Sequence, residues 1–524
     1  MAAHQDAFQV DHERIAQLAL ATYHNDLPPR GAKPGTKSNL RLEWTVLAAF
    51  VLSFPSPHSN QHEYALISLA TGLKCLPYTS LPPNGDVLHD QHAEVLARRG
   101  ARQWLLQRLV HEVKSGVDGG GALALFEPAV GGSEPKWKLN KGVRLHLYVS
   151  TLPCGDASSK LLEFQRAAQD QVAGKKDAIT PTELLELHIQ GTKSSDGTLP
   201  AFDASGDRSV VRGRASSSHQ YATSSGALRT KPGRPDSPPS ICMSCSDKLA
   251  LWNAPGIGIQ GSLLSSLFQP IYIHSITLCD HPTRHIFPAF PPSKERADKN
   301  GEQREALKRL LAQECRRALS RAAPGKDLVV GWSTTPFAHS KEAQAEMVWS
   351  AFHPNPSERL EAEAQARFKD CEPVTCPNSI VYVADSTMAG TRGKIENLAT
   401  GTKLGAPTKR PKDPQLQRSL PLKPPARSSL CRLNLFQSFV TAHASITGIQ
   451  AAKATPLLYS DAKQGSFGDG TKAYRRTKAE LLGGKEEAAQ RVQKFLAGAR
   501  DGTAIQAAVL PDRVKRLTTR KMPP

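Results

Sequence analysis

Val143–Cys154 reads VRLHLYVSTLPC, and the interpretation of this stretch decides the fold. Leu145, Leu147 and Val149 alternate with their neighbours, so the pattern predicts a strand over 143–150 with one apolar face. Pro153 and Cys154 follow almost at once. Proline suits the first position of a helix, so the sequence predicts a helix start with Cys154 in its first turn. Working outward, IYIHSITL at 271–278 and SIVYVAD at 379–385 read as two more strands. Helical patterns run from about Asp90 to Val113, Ser244 to Asn253, Glu302 to Leu319 and Glu480 to Ala497. Strands alternating with helices argue for an α/β core.

The chain has 524 residues, long enough to bury a large core. Its 67 Lys and Arg against 48 Asp and Glu leave a formal charge of +19, which favours a polyanionic partner such as nucleic acid. The longest apolar run, Trp44–Phe54, is too short to span a bilayer, which takes about 20 residues. The first residues, MAAHQDAFQV, lack a charged-then-apolar signal pattern, so an intracellular protein of nucleus or cytoplasm is expected, neither secreted nor membrane-bound. Nine cysteines are then expected to be reduced and free to bind metal. Residues 191–226 are rich in Ser, Gly and Thr, and 401–428 hold six prolines and seven Lys or Arg; both read as flexible insertions in a single domain.

Three short segments carry the chemistry. They are His92-Ala93-Glu94 in LHDQHAEVLARRG, Pro153-Cys154-Gly155, and Cys245 in MSCSDKLALWN. A catalytic zinc takes three protein ligands and keeps a fourth position for water. His92, Cys154 and Cys245 meet that count, and Glu94 is the candidate proton shuttle that stays off the metal. Ser244-x-x-Asp247 is a capping-box pattern that places Cys245 at a helix N-terminus, where thiolate is favoured over thiol. His92 and Glu94 pose a geometric problem, because residues two apart on a helix point about 200° away from each other. They can face one ion only at the first turn, so the helix is expected to start near 90 with Asp90 as its cap. Cys242-x-x-Cys245 also has the form of half a structural zinc site, but no second pair stands nearby and Cys242 is expected to be a packed thiol.

At these residues the chain resembles the adenosine deaminases that act on RNA, and within them the tRNA-acting branch. The zinc deaminase signature is His-x-Glu followed by Pro-Cys-x-x-Cys; here the second cysteine is displaced to Cys245. LHLYVSTLPCGDAS, MSCSDKLALWN, GIQGSLLSSLFQPIYI, LPPRGAKPGTKSNLRLEWTVLAAFVL and ISLATGLKC carry the similarity, which runs with gaps from about residue 11 to about 480. The resemblance implies a cytidine-deaminase-like α/β/α sandwich, with a mixed sheet flanked by helices and long irregular insertions. It implies zinc-dependent deamination of adenosine to inosine, in tRNA at position 37 beside the anticodon of alanine tRNA. Adenosine in another structured RNA, or a non-catalytic zinc-containing RNA-binding protein, remain the alternatives. No double-stranded RNA-binding domain is legible, and the loop PGRPDSPPS after Lys231 lacks the glutamate that duplex editors use to fill the gap of a flipped base.

The resemblance also implies a buried inositol hexakisphosphate held by inward-pointing basic side chains. Arg98, Arg99, Lys248, Trp252, Ser262, Arg432, Tyr459, Lys463, Tyr474 and Lys478 match that pocket, and Asp90 and Lys231 match a polar relay between it and the zinc shell. Leu251 stands where animal editors carry arginine, and the family's C-terminal tryptophan-lysine segment has no clear match. Lys74 and Arg229 are candidate RNA contacts. The partner implied is a tRNA anticodon stem-loop, with no DNA expected; the sequence is silent on oligomeric state.

Overall fold

The structure is a computed structural model. It describes residues 8–194 (omitting positions within 38–40, 57–60, 78–84, 116–123, 130–135 and at 177), residues 210–212, residues 228–448 (omitting positions within 232–239, 288–293, 324–327, 353–371, 408–421 and at 389), and four positions between 472 and 477.

An eight-stranded mixed sheet organises these residues. Its strands are β1 (Leu47–Pro55), β2 (His62–Thr71), β5 (Arg144–Val149), β6 (Ile273–Cys279), β7 (Val329–Ser333), β8 (Asn378–Val383), β9 (Lys394–Ala399) and β10 (Thr402–Lys403). They lie in the order β7-β6-β5-β1-β2-β8-β9-β10. β5, β6 and β7 are mutually parallel, and every other pairing is antiparallel. A separate small hairpin joins β3 (Leu73–Cys75) to β4 (Asp90–His92).

The alternation in VRLHLYV sorts side chains to two faces, as a period of two requires. Leu145, Leu147 and Val149 stand opposite Leu52, Phe50 and Ala48. These six join Leu96, Ala97, Ala101 and Trp104 of helix α2 (Ala93–Ser115) in the larger core. Tyr148, Leu47, Ala49 and Val51 point the other way, onto Ile15, Ala19, Leu20 and Tyr23, most of them from helix α1 (His12–Ala21). β1 is buried on both faces apart from Pro55, which is why its sequence is apolar without alternation except at Ser53, whose hydroxyl is taken up by His146.

On the α2 side lie helices α3 (Ser159–Val172), α4 (Pro181–Ser194), α5 (Cys245–Asn253), α6 (Gly261–Leu264), α8 (Lys294–Ser320) and α10 (Arg432–Thr447); the short α7 (His281–Arg284) packs against both α8 and α9 (Lys341–Phe352). The layering is helix, sheet, helix, as the resemblance implied. No helix among the described residues is long and apolar enough to cross a membrane.

Three expectations need correction. Residues 90–92 are strand, because β3 pairs with them in the register Leu73↔His92 and Cys75↔Asp90, and α2 begins only at Ala93. Cys154 precedes its helix: Gly155 takes φ +110°, a single-residue break, before a turn at Asp156–Ser158 and α3 at Ser159. The inserted segments are also narrower than expected. Residues 191–194 close α4, 210–212 form a strand, and Leu422 and Ala426 pack on Val87. The helical pattern at 480–497 lies outside the described residues.

Candidate active site

His92 ends β4 and Glu94 sits in the first turn of α2, so the two are not successive positions on one helix. The 200° objection therefore dissolves. Gly72 makes this possible. Its φ is +149°, a Cβ there would lie 2.0 Å from the Gln91 carbonyl oxygen, and its own carbonyl accepts the Ala93 N–H at 3.1 Å. Only glycine lets β3 pass so close to the chain that carries His92.

Cys245 opens α5. Ser244 caps that helix by accepting the Asp247 N–H, the capping box expected from the sequence. The Cys245 N–H points at Cys154 Sγ (3.3 Å), and Ser246 N–H reaches the Cys154 carbonyl (3.0 Å). Gly155 is what allows this approach, since a Cβ there would lie 2.4 Å from Ser244 Oγ. The His92 ring contacts the Cys154 thiol, and Cys154 contacts Cys245. Cys154 thus bridges the imidazole and the second sulfur, although the three donors do not all lie within 4.8 Å of one another as they stand.

Charged groups behind these donors set their states. Asp90 Oδ1 accepts from His92 Nδ1 (2.9 Å) and from the His92 N–H (3.0 Å), fixing the ring and leaving Nε2 for other work. Asp90 Oδ2 takes Lys231 Nζ (2.9 Å) and also pairs with Lys248. Lys231 Nζ donates to Cys245 Sγ as well (3.2 Å). Burial works against the Asp90 charge, but Lys231 and Lys248 outweigh it and hold the carboxyl well below its usual range. Burial and Lys231 likewise oppose protonation of His92, while Asp90 and Cys154 prevail and hold it at about 9. The hydrogen bond from Cys245 leads the groups that pull the Cys154 thiol well below its usual range. Glu94 is 3 % exposed, and its carboxyl is pushed up by burial and then by Cys154. Cys242 is a buried thiol pushed up to about 11 by desolvation.

The sulfur, sulfur, nitrogen donor set, with its histidine held by a carboxylate, fits a borderline ion such as zinc rather than a hard one.

A brace that sequence reasoning missed joins the two cysteine segments. Each cysteine is followed two residues later by a buried aspartate, Asp156 and Asp247. Arg321, in the turn just past α8, reaches both, Asp156 at 3.5 Å and Asp247 more closely, and Arg317 of α8 adds a second contact to Asp156 at 3.3 Å. The repeated Cys-x-Asp spacing was the available signal. Arg229 belongs to this interior as well. It is 2 % exposed, its backbone N–H bonds Asp247 Oδ2 (2.8 Å), and its guanidinium is set near Asp156 and Asp247. Lys74 Nζ bonds Thr375 Oγ1 (2.6 Å) beside the His92 hairpin.

Several of the expected phosphate ligands converge. Arg98 lies over the Trp252 ring (4.4 Å) and contacts Tyr474. Its guanidinium and that of Arg102 line the backbone at Gly261, next to Ser262. Arg98 is pushed down to about 9, first by burial and then by the like charge of Arg102, and its Nε has no hydrogen-bond partner among the described residues. Arg99 donates to the Leu430 carbonyl (2.7 Å), and both Arg99 and Arg432 approach His89. Lys248 joins Asp90, linking this basic group to the donor shell. Tyr459, Lys463 and Lys478 lie outside the described residues.

The adenosine-deaminase (editase) domain family matches residues 68–334, which hold His92, Glu94, Cys154 and Cys245. Two similar proteins are the tRNA-specific adenosine deaminases 1 of Schizosaccharomyces pombe and Drosophila melanogaster. The first is 33% identical over 266 residues, covering 50% of this chain and 56% of the relative. The second is 33% identical over 268 residues, covering 51% and 55%. The double-stranded RNA-specific editase Adar of Drosophila melanogaster is 33% identical over 233 residues, covering 44% of this chain and 29% of that protein. The chain therefore spans little more than half the length of the tRNA-specific relatives. With the family matching half of the sequence and the fold agreeing, this chain belongs to the adenosine-deaminase (editase) domain family.

Proposed function

We propose that this protein hydrolyses adenosine to inosine in tRNA, at position 37 beside the anticodon of alanine tRNA. The reaction consumes one water and releases one ammonia: a C–O bond forms at C6 of the purine and the bond to the exocyclic amine breaks. The observation that carries the reading is a buried glutamate, Glu94, beside a contacting group of one imidazole and two thiols.

His92, Cys154 and Cys245 are the residues that would hold zinc. When bound, the ion would lower the pKa of a water and so supply a nucleophile near neutral pH. The protein's own groups do the rest. Glu94 has an elevated pKa suited to accepting a proton at its carboxylate and returning it to the purine ring and the departing amine. Asp90 orients His92 through Nδ1, and Lys231 tempers the negative charge of the cysteines.

The cluster of Arg98, Arg102, Lys248 and Arg432 supports a buried polyanion, which we assign to inositol hexakisphosphate. Like-charged guanidiniums packed together inside a protein are costly without one. A phosphate-rich ligand turns that cost into charge-assisted hydrogen bonds. The substrate class rests on the tRNA-specific relatives and on the chain's positive charge. An anticodon-loop base is already unpaired, so extruding it costs less than from a duplex.

Incubating the purified protein with alanine tRNA and sequencing the product tests this directly. Inosine at position 37 is the expected result. No conversion by metal-loaded protein across a salt series would overturn the reading, and faster turnover of RNA hairpins than of folded tRNA would reassign the substrate.

A further inference from the structure

A second group of metal-capable donors lies outside the active site. β6 ends at Cys279 and runs through Asp280 into α7, which begins at His281 and is followed directly by His285. Residues four apart share a helix face, so the two imidazoles point the same way. Their rings lie 5.6 Å apart. Both Nε2 atoms close on one oxygen of Glu346 in α9: His281 at 2.9 Å and His285 at 3.2 Å from Oε1. The three donor atoms all fall within 4.8 Å of one another. Among the described residues this is the trio that meets that limit.

Local charge leaves Glu346 to the imidazoles. The neighbouring carboxylate, Asp280, is taken by Arg284 (2.8 Å) and approached by Lys308 (3.9 Å). No lysine or arginine pairs with Glu346 among the described residues, and its carboxyl is held down first by His281 and then by His285. The burial is graded: His281 is 3 % exposed, His285 38 % and Glu346 50 %. One ligand is anchored in the interior while the other two face solvent, the arrangement of a site that an ion can enter and where water can complete the coordination. Read as hydrogen bonds alone, the same geometry points two imidazole N–H groups at a single exposed oxygen, whereas an ion between them would take both Nε2 lone pairs and the carboxylate together.

The spacing suits a small ion. Bonds of ~2.0–2.1 Å in a tetrahedral shell place donors about 3.3 Å apart, so 2.9 and 3.2 Å need open only slightly. Two imidazoles and one carboxylate, with no sulfur, select zinc, cobalt, nickel or iron(II) over magnesium or calcium.

We propose that His281, His285 and Glu346 form a second, solvent-accessible divalent transition-metal site that clips α7 to α9. α7 packs on α8, the helix that carries Arg317 and ends just before Arg321, the two arginines that brace the cysteine segments, so occupancy here stiffens the support of the active site from outside.

Cobalt(II) titration of chelator-stripped full-length protein separates the two sites. A cysteine-bearing site gives thiolate-to-cobalt charge-transfer absorption, whereas His281, His285 and Glu346 give only weak ligand-field bands. The wild type is expected to bind a thiolate-free equivalent, and His285→Ala and Glu346→Gln are each expected to weaken it at least tenfold while leaving any charge-transfer band intact. Cys154→Ser should do the reverse. A thiolate-free equivalent that appears without any charge-transfer band, and is lost in His285→Ala, supports this site while counting against the zinc reading of the active site. The proposal is overturned if no thiolate-free equivalent binds, or if it persists unchanged in both variants.

Discussion

Asp90 and Glu346 each gather cationic or imidazole partners around one carboxylate, yet they stand at opposite extremes of burial. Asp90 is 6 % exposed and holds His92, Lys231 and Lys248; Glu346 is half in solvent and holds His281 and His285. Coulomb attraction is strong in the first place and screened in the second. Removing a charge is correspondingly severe where the partner cannot escape to water and mild where it can. Asp90 is thus built into the fold, and Glu346 is free to share its imidazole partners with an ion.

The sharpest way to break this comparison is Asp90→Asn. It strands Lys231, which is 4 % exposed, without its carboxylate. Breaking a buried pair this way costs about 3–5 kcal/mol, which denaturant unfolding will read as a large shift of the midpoint. A loss below about 1 kcal/mol, the figure for surface pairs, would place Asp90 in the same class as Glu346.

Burial makes the same distinction among the histidines. His146 is fully buried between Ser275 Oγ (2.7 Å) and Ser53 Oγ (2.8 Å), with His274 beside it. Burial first, then the neighbouring His274, push its pKa down to about 3. Between that value and the unfolded 6.5 the unfolded chain binds the proton and the folded chain does not. This contribution to stability is complete above pH 6.5 and falls as the solution is acidified. About 2 kcal/mol is lost by pH 5. Unfolding midpoints measured from pH 7 to pH 5 should fall accordingly, and His146→Gln should flatten the slope. A slope unchanged in the variant would show that His146 is not the group being protonated.

The smallest effect is expected at Glu346. In metal-free protein, Glu346→Gln should change stability by less than about 1 kcal/mol, as read by the same unfolding experiment. A loss several times larger would mean that the pair with His281 is a structural ion pair of the Asp90 kind.

Much of this was legible in the residues, and the failures are local ones. Leu145, Leu147 and Val149 marked their strand because one face is buried at a period of two. The Ser244–Asp247 cap was readable because both partners lie within one turn. His92 was misplaced onto a helix because the β3 strand that holds 90–92 extended is a tertiary partner, contributed by Leu73–Cys75. Cys154 was moved into a helix because Pro153 is a good helix opener, while the break at Gly155 answers to Ser244, 89 residues further along. Arg321 was invisible for the same reason: at the end of an arginine-rich segment it is one arginine among many, and only the fold brings it to Asp156 and Asp247. Arg229 looked like a surface cation for want of the two carboxylates it faces.

Glu94 is the proposed proton carrier of a metal-dependent deamination. The direct measurement is inosine formation in alanine tRNA by the wild type and by Glu94→Gln, with metal content determined on the same samples. The expected result is a loss of about 10²–10⁴-fold in conversion at unchanged metal content. Conversion by Glu94→Gln at the wild-type rate would contradict it.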